Sequence, residues 1–274
     1  MGQKKKHIIL FSIVTLTVSS CTKEINIDLN SVNPQLVVEG NISDQSGPYL
    51  VKLSQTVNYN QDDTFPAVSG AIIKITDNTG NSETLTEISS GNYYTSALQG
   101  TIGRAYNISI TRNGKSYSGT SLMPVPVTID TILVDTTNSG GFRGGSRGNR
   151  KNTKTVHVKF NDPAGIANYY RFIELVNNIA KTDIFITSDN LRDGTNIDFT
   201  LSRDTTIHAG DSVAVLLQSI DKKVYEYFRT LDQIASGGGG FRASTPDNPT
   251  SNLTNSALGY FNAFSVKSKK TRIP

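Results

Sequence analysis

Short segments in which apolar and polar residues alternate recur along the chain from Pro34 onward. The clearest is 106–111, where every second residue is apolar. A period of two is that of a β-strand with one buried face. Asn113-Gly114 follows this segment, and such a pair accepts the positive φ angles of a tight hairpin turn. The pattern therefore predicts antiparallel β-structure.

The predicted strands form two groups, separated by Met123-Pro124-Val125-Pro126. Because each proline lacks an amide hydrogen and holds the preceding residue extended, this segment marks a boundary. The first predicted domain covers 34–124, with strands at 36–39, 49–54, 71–76, 83–88, 93–96, 106–111 and 115–121. The second covers 128–274, with strands at 129–135, 155–160, 169–176, 184–187, 196–201, 212–219 and 257–266.

Short strands separated by turn residues at this spacing are typical of antiparallel sandwiches. The segments Gly91–Tyr94 and Gly103–Tyr106 also resemble parts of transthyretin-like and carboxypeptidase-regulatory-like modules, although another immunoglobulin-like sandwich fits equally well. We therefore predict an all-β (mainly β) fold. It comprises an N-terminal immunoglobulin- or transthyretin-like antiparallel sandwich and a second β-rich domain that carries one main helix.

That helix is predicted at 222–234. Val224, Phe228 and Leu231 fall on one of its faces, and Asp221 can cap the free N–H groups of its first turn. A run of four glycines ends it. We interpret the apolar stripe as core packing.

Residues 1–20 form a predicted secretory signal peptide. Lys4-Lys5-Lys6 precedes an apolar run from Ile8 to Val18, and small residues follow. As a helix this run spans about 16 Å, too short for a hydrocarbon core about 30 Å thick. No other segment approaches the length of a membrane-spanning helix, so the sequence argues against an integral membrane protein.

The single cysteine, Cys21, lies at the predicted cleavage point. One cysteine cannot form a disulfide within the chain or a zinc site with several cysteines. Val18-Ser19-Ser20-Cys21 resembles the lipobox of bacterial lipoproteins, in which the thiol is acylated and becomes the mature N-terminus. We predict that acyl chains (palmitate) on Cys21 anchor the protein in outer-membrane lipid, with 21–33 as a polar tether.

The charge of the chain gives little support for nucleic-acid binding. Without Lys4, Lys5 and Lys6, the 27 basic side chains fall to 24, against 23 acidic ones. The remainder is nearly neutral, and no nucleic-acid-binding motif is present.

Two glycine-rich segments, at 139–152 and 236–248, share the sequence Gly-Gly-Phe-Arg. Neither opens a helix directly after a strand, as a phosphate-binding loop does. They are either mobile surface loops or a surface that presents aromatic and arginine side chains to a partner. Basic residues cluster after the first, and could meet anionic lipid or an acidic protein, or remain solvated. The candidate partner-binding residues are Phe142, Arg143, Arg147, Arg150, Phe241 and Arg242.

Three motifs that could carry chemistry are incomplete. Ser146 lies in a G-x-S-x-G match, but no helical sequence follows, as a nucleophile elbow requires. His157 and His208 lack a second histidine at metal-ligand spacing. The segment 58–69 lacks the glycine and glutamate of a calcium loop. We therefore predict no catalytic residue, metal site or cofactor, and a protein that is not an enzyme.

The order of several short motifs resembles the Bacteroidetes cell-envelope lipoprotein family catalogued as domain of unknown function 4249. The resemblance covers essentially the whole chain after the signal, and its C-terminal part is the more specific. The motifs are Cys21–Ile25, Asn33–Gly40, Phe65–Ala71, Asp221–Phe228, Gly237–Phe241, Asn248-Pro249, Ser251-Asn252 and Ala257–Ala263. The family defines no catalytic residues. Its members resemble envelope lipoproteins whose genes often neighbour TonB-dependent receptors.

This resemblance implies a non-enzymatic outer-membrane lipoprotein that is an accessory or ligand-handling partner of a TonB-dependent β-barrel transporter. The sequence leaves periplasmic and surface display both open. One alternative is a surface adhesin or carbohydrate- or peptide-binding module that uses Tyr59, Phe65, Tyr93 and Tyr94 as aromatic platforms. A remote alternative is a hydrolase built on Ser146.

Overall fold

The computed structural model describes residues 33–57, 65–138, 152–236 and 248–273. Within these ranges the chain forms sixteen strands and one α-helix, which confirms the predicted mainly-β class. The elements are β1 (Leu36–Ser43), β2 (Leu50–Gln55), β3 (Ile72–Asp77), β4 (Ser82–Thr84), β5 (Thr86–Ser89), β6 (Asn92–Tyr94), β7 (Ala105–Arg112), β8 (Lys115–Leu122), β9 (Ile129–Asn138), β10 (Asn152–Asn161), β11 (Tyr169–Val176), β12 (Ile179–Ala180), β13 (Phe185–Ser188), β14 (Asn196–Asp204), β15 (Ser212–Ile220), α1 (Lys222–Ala235) and β16 (Leu258–Arg272).

The described strands form one nine-stranded sheet and two smaller sheets. The large sheet has the order β12-β11-β15-β16-β1-β2-β6-β5, with β13 also paired to β11. The small sheets have the orders β4-β3-β7-β8 and β14-β10-β9. Most neighbours are antiparallel, but β1 and β16 run parallel, from Val37 opposite Leu258 to Ser43 opposite Phe264. This parallel pair departs from the antiparallel prediction.

Strand β16 joins the two segments that the sequence separates at Met123–Val127. It pairs with β1 from the first segment and with β15 from the second. The prolines do lie between β8 and β9, yet strands from both sides belong to the same large sheet. Pairing between residues so distant in sequence leaves no local pattern, whereas a proline-rich segment does.

The two small sheets cover the same face of the large sheet. Residues opposite each other on neighbouring strands point to one face, and Ser219 of β15 lies opposite Ser265 of β16. Leu217 and Phe261 are each an even number of residues away from this pair, so they share its face. Leu217 packs with the three-stranded sheet and Phe261 with the four-stranded sheet. Helix α1 covers the other face, around Phe228.

Individual strands follow the predicted pattern, with one informative exception. The predicted hairpin is confirmed, with φ of 49° at Asn113 and 73° at Gly114. The strand predicted at 83–88 is instead two strands in different sheets. Between them Leu85 is buried, and its N–H donates to the carbonyl oxygen of Ile73 at 2.9 Å. The chain therefore crosses from one layer to the other at this point.

Helix α1 agrees with its prediction to within one residue at its C-terminal end. The Oδ1 of Asp221 accepts a hydrogen bond from the N–H of Val224 at 2.9 Å, which confirms the predicted cap. Val224 and Phe228 are buried and Leu231 packs against them, so the stripe is core packing. The part of the chain that the structure describes contains no helix that is long and apolar enough to cross a membrane.

Candidate functional site

An apolar cavity of about 700 Å³ lies where β8, β15 and α1 meet. The end of β8 and the proline-rich segment after it form one wall, and the loop before β11 forms another. The end of β15 and the first turn of α1 complete it. Its apolar walls are formed by Leu122, Met123, Val125, Ile166, Tyr169 and Ile220.

The volume and lining of this cavity fall within the range of small-molecule sites. Pockets for small molecules commonly measure about 300–1,000 Å³ and combine apolar walls with a few polar groups. Leu122, Val125 and Ile166 are 48%, 57% and 55% exposed, although folding normally buries such residues. An apolar surface that is concave and open to solvent is available to a ligand or a partner.

Asp221 holds the cavity together. Its Oδ1 caps α1, while its Oδ2 accepts hydrogen bonds from the N–H of Leu122 at 3.1 Å and from the hydroxyl of Ser121. The Ser121 hydroxyl in turn accepts from the N–H of Ala263 at 3.0 Å. A single carboxylate thus ties the start of the helix to β8, and through Ser121 to β16.

Two lysines follow directly after this carboxylate. Lys222 and Lys223 are exposed, line the cavity and make no ion pair with any residue that the structure describes. The first turn of α1 contains no acidic residue. This is unusual, because the positive end of the helix dipole favours acidic side chains at the N-terminus and disfavours basic ones.

Ser219 supplies a further polar group. It lines the cavity, is 2% exposed, and its hydroxyl has no hydrogen-bond partner among the described residues. A buried hydroxyl without a partner is uncommon in folded proteins, because leaving it unpaired costs about 1–3 kcal/mol. A residue at the edge of the cavity therefore has a hydroxyl whose hydrogen bonds the described residues do not supply, as does Ser265 directly opposite it on β16.

The loop that carries Ile166 is fixed by three carboxylates. Asp162, Asp189 and Asp193 place one carboxylate oxygen each within 4.8 Å of the others. Asp189 accepts from the N–H of Asn168 at 2.8 Å, and Asp193 accepts from that of Gly165 at 2.8 Å. Carboxylate oxygens are ligands of Ca²⁺, so this group could hold a metal ion, although its hydrogen bonds already account for its position. Sequence analysis missed it because Asp162 lies in the loop after β10, whereas Asp189 and Asp193 lie in the loop between β13 and β14.

Asp162 has a second role in the core. It accepts a hydrogen bond from the hydroxyl of Tyr170, which is fully buried, and another from the N–H of Gly194 at 3.0 Å. Burial and this carboxylate raise the pKa of Tyr170 above its ordinary value. Both removal from water and a nearby negative charge oppose loss of the phenolic proton.

His157 does not line this cavity and lies on β10 of the three-stranded sheet. Its ring nitrogens lie 3.6 Å from Asp135 and 3.3 Å from Asp198, and Nδ1 is 3.2 Å from the hydroxyl of Thr200. The side chain is partly exposed, in line with the outward orientation predicted from its neighbours. This arrangement is a surface cluster of polar and charged groups.

The residues singled out by sequence analysis fall mostly outside the described ranges. Cys21, Ser146, the segment 58–64 and all candidate partner-binding residues (Phe142, Arg143, Arg147, Arg150, Phe241 and Arg242) belong to this group, so their roles stay predictions. Of the aromatic platforms considered for an adhesin, Phe65 is exposed. Tyr93 is 1% exposed, and its hydroxyl donates to the carbonyl oxygen of Val68 at 3.1 Å.

Comparison with known proteins gives a family but no activity. A family model described as "Domain of unknown function (DUF4249)" matches residues 22–270. No curated protein matches the chain. A solved structure described as "Cytokine receptor complex - Crystal form 1A" aligns with 86% of this chain and 95% of that chain, at 9% identity and a TM-score of 0.25, too low to support an argument. Because the family match covers far more than half of the chain, this protein belongs to the DUF4249 family, as its motifs had indicated.

Proposed function

We propose that this protein is a non-enzymatic outer-membrane lipoprotein that binds a small ligand in the apolar cavity and acts as an accessory partner of a TonB-dependent transporter. The observation that carries the proposal is the cavity of about 700 Å³ at the start of α1. It combines apolar walls with a buried hydroxyl and two lysines, the mixture that gives a ligand both affinity and orientation.

The membrane anchor is supported by the lipobox-like sequence before Cys21. Two acyl chains suffice for stable anchoring, at about 0.8 kcal/mol per buried methylene. A palmitate analogue supplied to growing cells should label the wild-type protein and leave Cys21→Ser unlabelled. Equal labelling of both would contradict the anchor.

The transporter partnership is supported by the exposed apolar residues at the mouth of the cavity. Val125 is 57% exposed there, and Ile88 on β5 is 68% exposed and does not line the cavity. A photo-crosslinking amino acid at position 125 should therefore capture a neighbour that the same group at position 88 does not. The experiment uses native membranes, with captured proteins identified by mass spectrometry.

We expect a β-barrel transporter to be captured from position 125 and absent, or much weaker, from position 88. Capture of no barrel from either position would contradict the partnership. Equal capture from both positions would show that the transporter does not contact the cavity mouth specifically.

A further inference from the structure

We infer that the ligand of the cavity is an amphiphile with one anionic head group, held by Lys222 and Lys223, and an apolar body that lies along the cavity walls. This inference rests on the ligand-binding part of the proposed function and specifies its ligand class. Three features of the described residues carry it: the charge at the rim, the buried hydroxyl and the apolar walls.

The charge at the rim is positive. Both oxygens of Asp221 accept hydrogen bonds that hold α1 to β8, so neither pairs directly with a lysine, although the carboxylate keeps its charge and offsets one of the two. Lys222 and Lys223 make no ion pair within the described residues. The two lysine ammonium groups and the one Asp221 carboxylate together carry a net positive charge, which attracts a negatively charged group.

The backbone adds to this attraction. The first N–H groups of a helix have no acceptor within it. In α1 the N–H of Val224 is satisfied by Asp221, which leaves those of Lys222 and Lys223 as donors at the same rim. An anion placed there would meet both ammonium groups and these N–H groups.

Ser219 gives independent support for a polar ligand atom. Ser219 borders the cavity, and its hydroxyl, which is closed off from solvent in the described structure, lacks a partner there. A purely hydrocarbon ligand would leave it unpaired. Rotation of the serine side chain toward the cavity would let an oxygen of a carboxylate or phosphate head accept its hydrogen, and such charge-assisted hydrogen bonds are the stronger kind.

The walls require an apolar body behind that head. Leu122, Val125 and Ile166 are partly exposed in the described structure, and Ile220 and Met123 complete the lining. An alkyl chain would cover them, and burial of each methylene should tighten binding about fourfold. A small hydrophilic anion would leave these walls in water, so it would bind weakly.

The test is calorimetric titration of the whole mature chain carrying Cys21→Ser, which removes the acylation site and the need for detergent. The probes are dodecanoate, dodecyl phosphate, dodecanol and dodecyltrimethylammonium. They share one alkyl chain and differ in head group, so they separate charge from apolar burial. Comparison of the two anionic probes distinguishes a free carboxylate from a lipid phosphate as the source of the head.

We expect the tighter anionic probe to bind at least about tenfold better than dodecanol, the effect of one charge-assisted hydrogen bond. Shortening it from twelve to ten carbons should weaken binding. Lys222→Gln combined with Lys223→Gln should remove most of the preference for the anion. The matched control, Lys74→Gln with Lys115→Gln, changes two exposed lysines of the four-stranded sheet and should bind as the parent does.

The lysine variant also separates binding from folding. Since basic side chains oppose the helix dipole at this position, their replacement should leave thermal stability unchanged or slightly raised. Weaker binding by a protein that is no less stable would therefore support the inference.

Three results would overturn the inference: equal binding of dodecanol and the anions, tightest binding of the cationic probe, or no binding of any probe. Equal binding of dodecanol would leave a cavity ligand and the proposed function in place while refuting the anionic head. If no probe binds, the claim that the cavity holds an amphiphile is refuted. The transporter partnership would then still be tested separately, by crosslinking from position 125.

Discussion

Replacement of Asp221 tests how the cavity is held, because one side chain makes the junction between β8 and α1. Asp221→Ala removes the helix cap at Val224, which is worth about 1 kcal/mol. It also deprives the hydroxyl of Ser121, a residue 1% exposed, of its acceptor, at a cost of about 1–3 kcal/mol. We therefore expect the free energy of unfolding to fall by about 2–4 kcal/mol.

Asp221→Asn is the matched control. Asparagine caps helices as well as aspartate, but its amide nitrogen cannot accept the hydrogen bonds that Oδ2 accepts from Ser121 and Leu122. Asp221→Asn should therefore lower the free energy of unfolding by less than Asp221→Ala does, and the difference should be about 1 kcal/mol, the contribution of the cap. Urea unfolding of the mature Cys21→Ser chain, followed by circular dichroism, measures both. A loss below about 0.5 kcal/mol for Asp221→Ala, the scale of an ordinary surface substitution, would refute the reasoning.

Two further predictions concern the fold. Gly259 has φ of 85° and a Cβ there would overlap the carbonyl oxygen of Val38 across the parallel pair, whereas Gly114 has φ of 73° in open space. Gly259→Ala should therefore cost at least about 2 kcal/mol more than Gly114→Ala in urea unfolding, and equal costs would argue against this pairing. Burial, the largest single influence, opposes ionisation of Asp204, but the hydrogen bonds from Lys181 at 2.5 Å and from Thr206 together outweigh it and lower the pKa of Asp204 to about 2 from 3.8. Because the folded pKa is the lower one, this stabilisation is present above about pH 4 and is lost as the pH falls toward 2. Asp204→Asn should flatten that part of the stability profile, and an unchanged slope would contradict the ion pair.

Much of the fold could be predicted from local pattern. The alternation at 106–111, the Asn113-Gly114 turn and the stripe of α1 each reflect a period or a backbone requirement contained within a few residues. The break at Leu85 leaves only a weak local sign, because the next apolar residue is Ile88 and not residue 87. The sheet that each half joins depends on other strands, β3 for one half and β6 for the other. The β1–β16 pair depends on residues more than 200 positions apart, and no local signal encodes it.

The candidate site was largely hidden in the sequence for the same reason. Met123-Pro124-Val125 indicated only a boundary, although its apolar residues form a cavity wall. One signal was available: Lys222 and Lys223 occupy the first turn of a helix, where the dipole disfavours them. Basic residues at such a position suggest a role other than helix stability. The unpaired hydroxyl of Ser219 depends on packing and is visible only in three dimensions.

The most direct test of the central claim is native mass spectrometry of the protein purified from its own membranes. The account predicts a non-covalent adduct of one small anionic amphiphile per chain, additional to the acyl groups on Cys21. Val125→Trp, a change at the cavity wall that should fill part of the space, should abolish the adduct while the chain stays folded. Ile88→Trp, at an exposed position that does not line the cavity, should retain it. Absence of any adduct from wild-type protein, or an adduct that persists in Val125→Trp, would contradict the claim that this cavity binds the ligand.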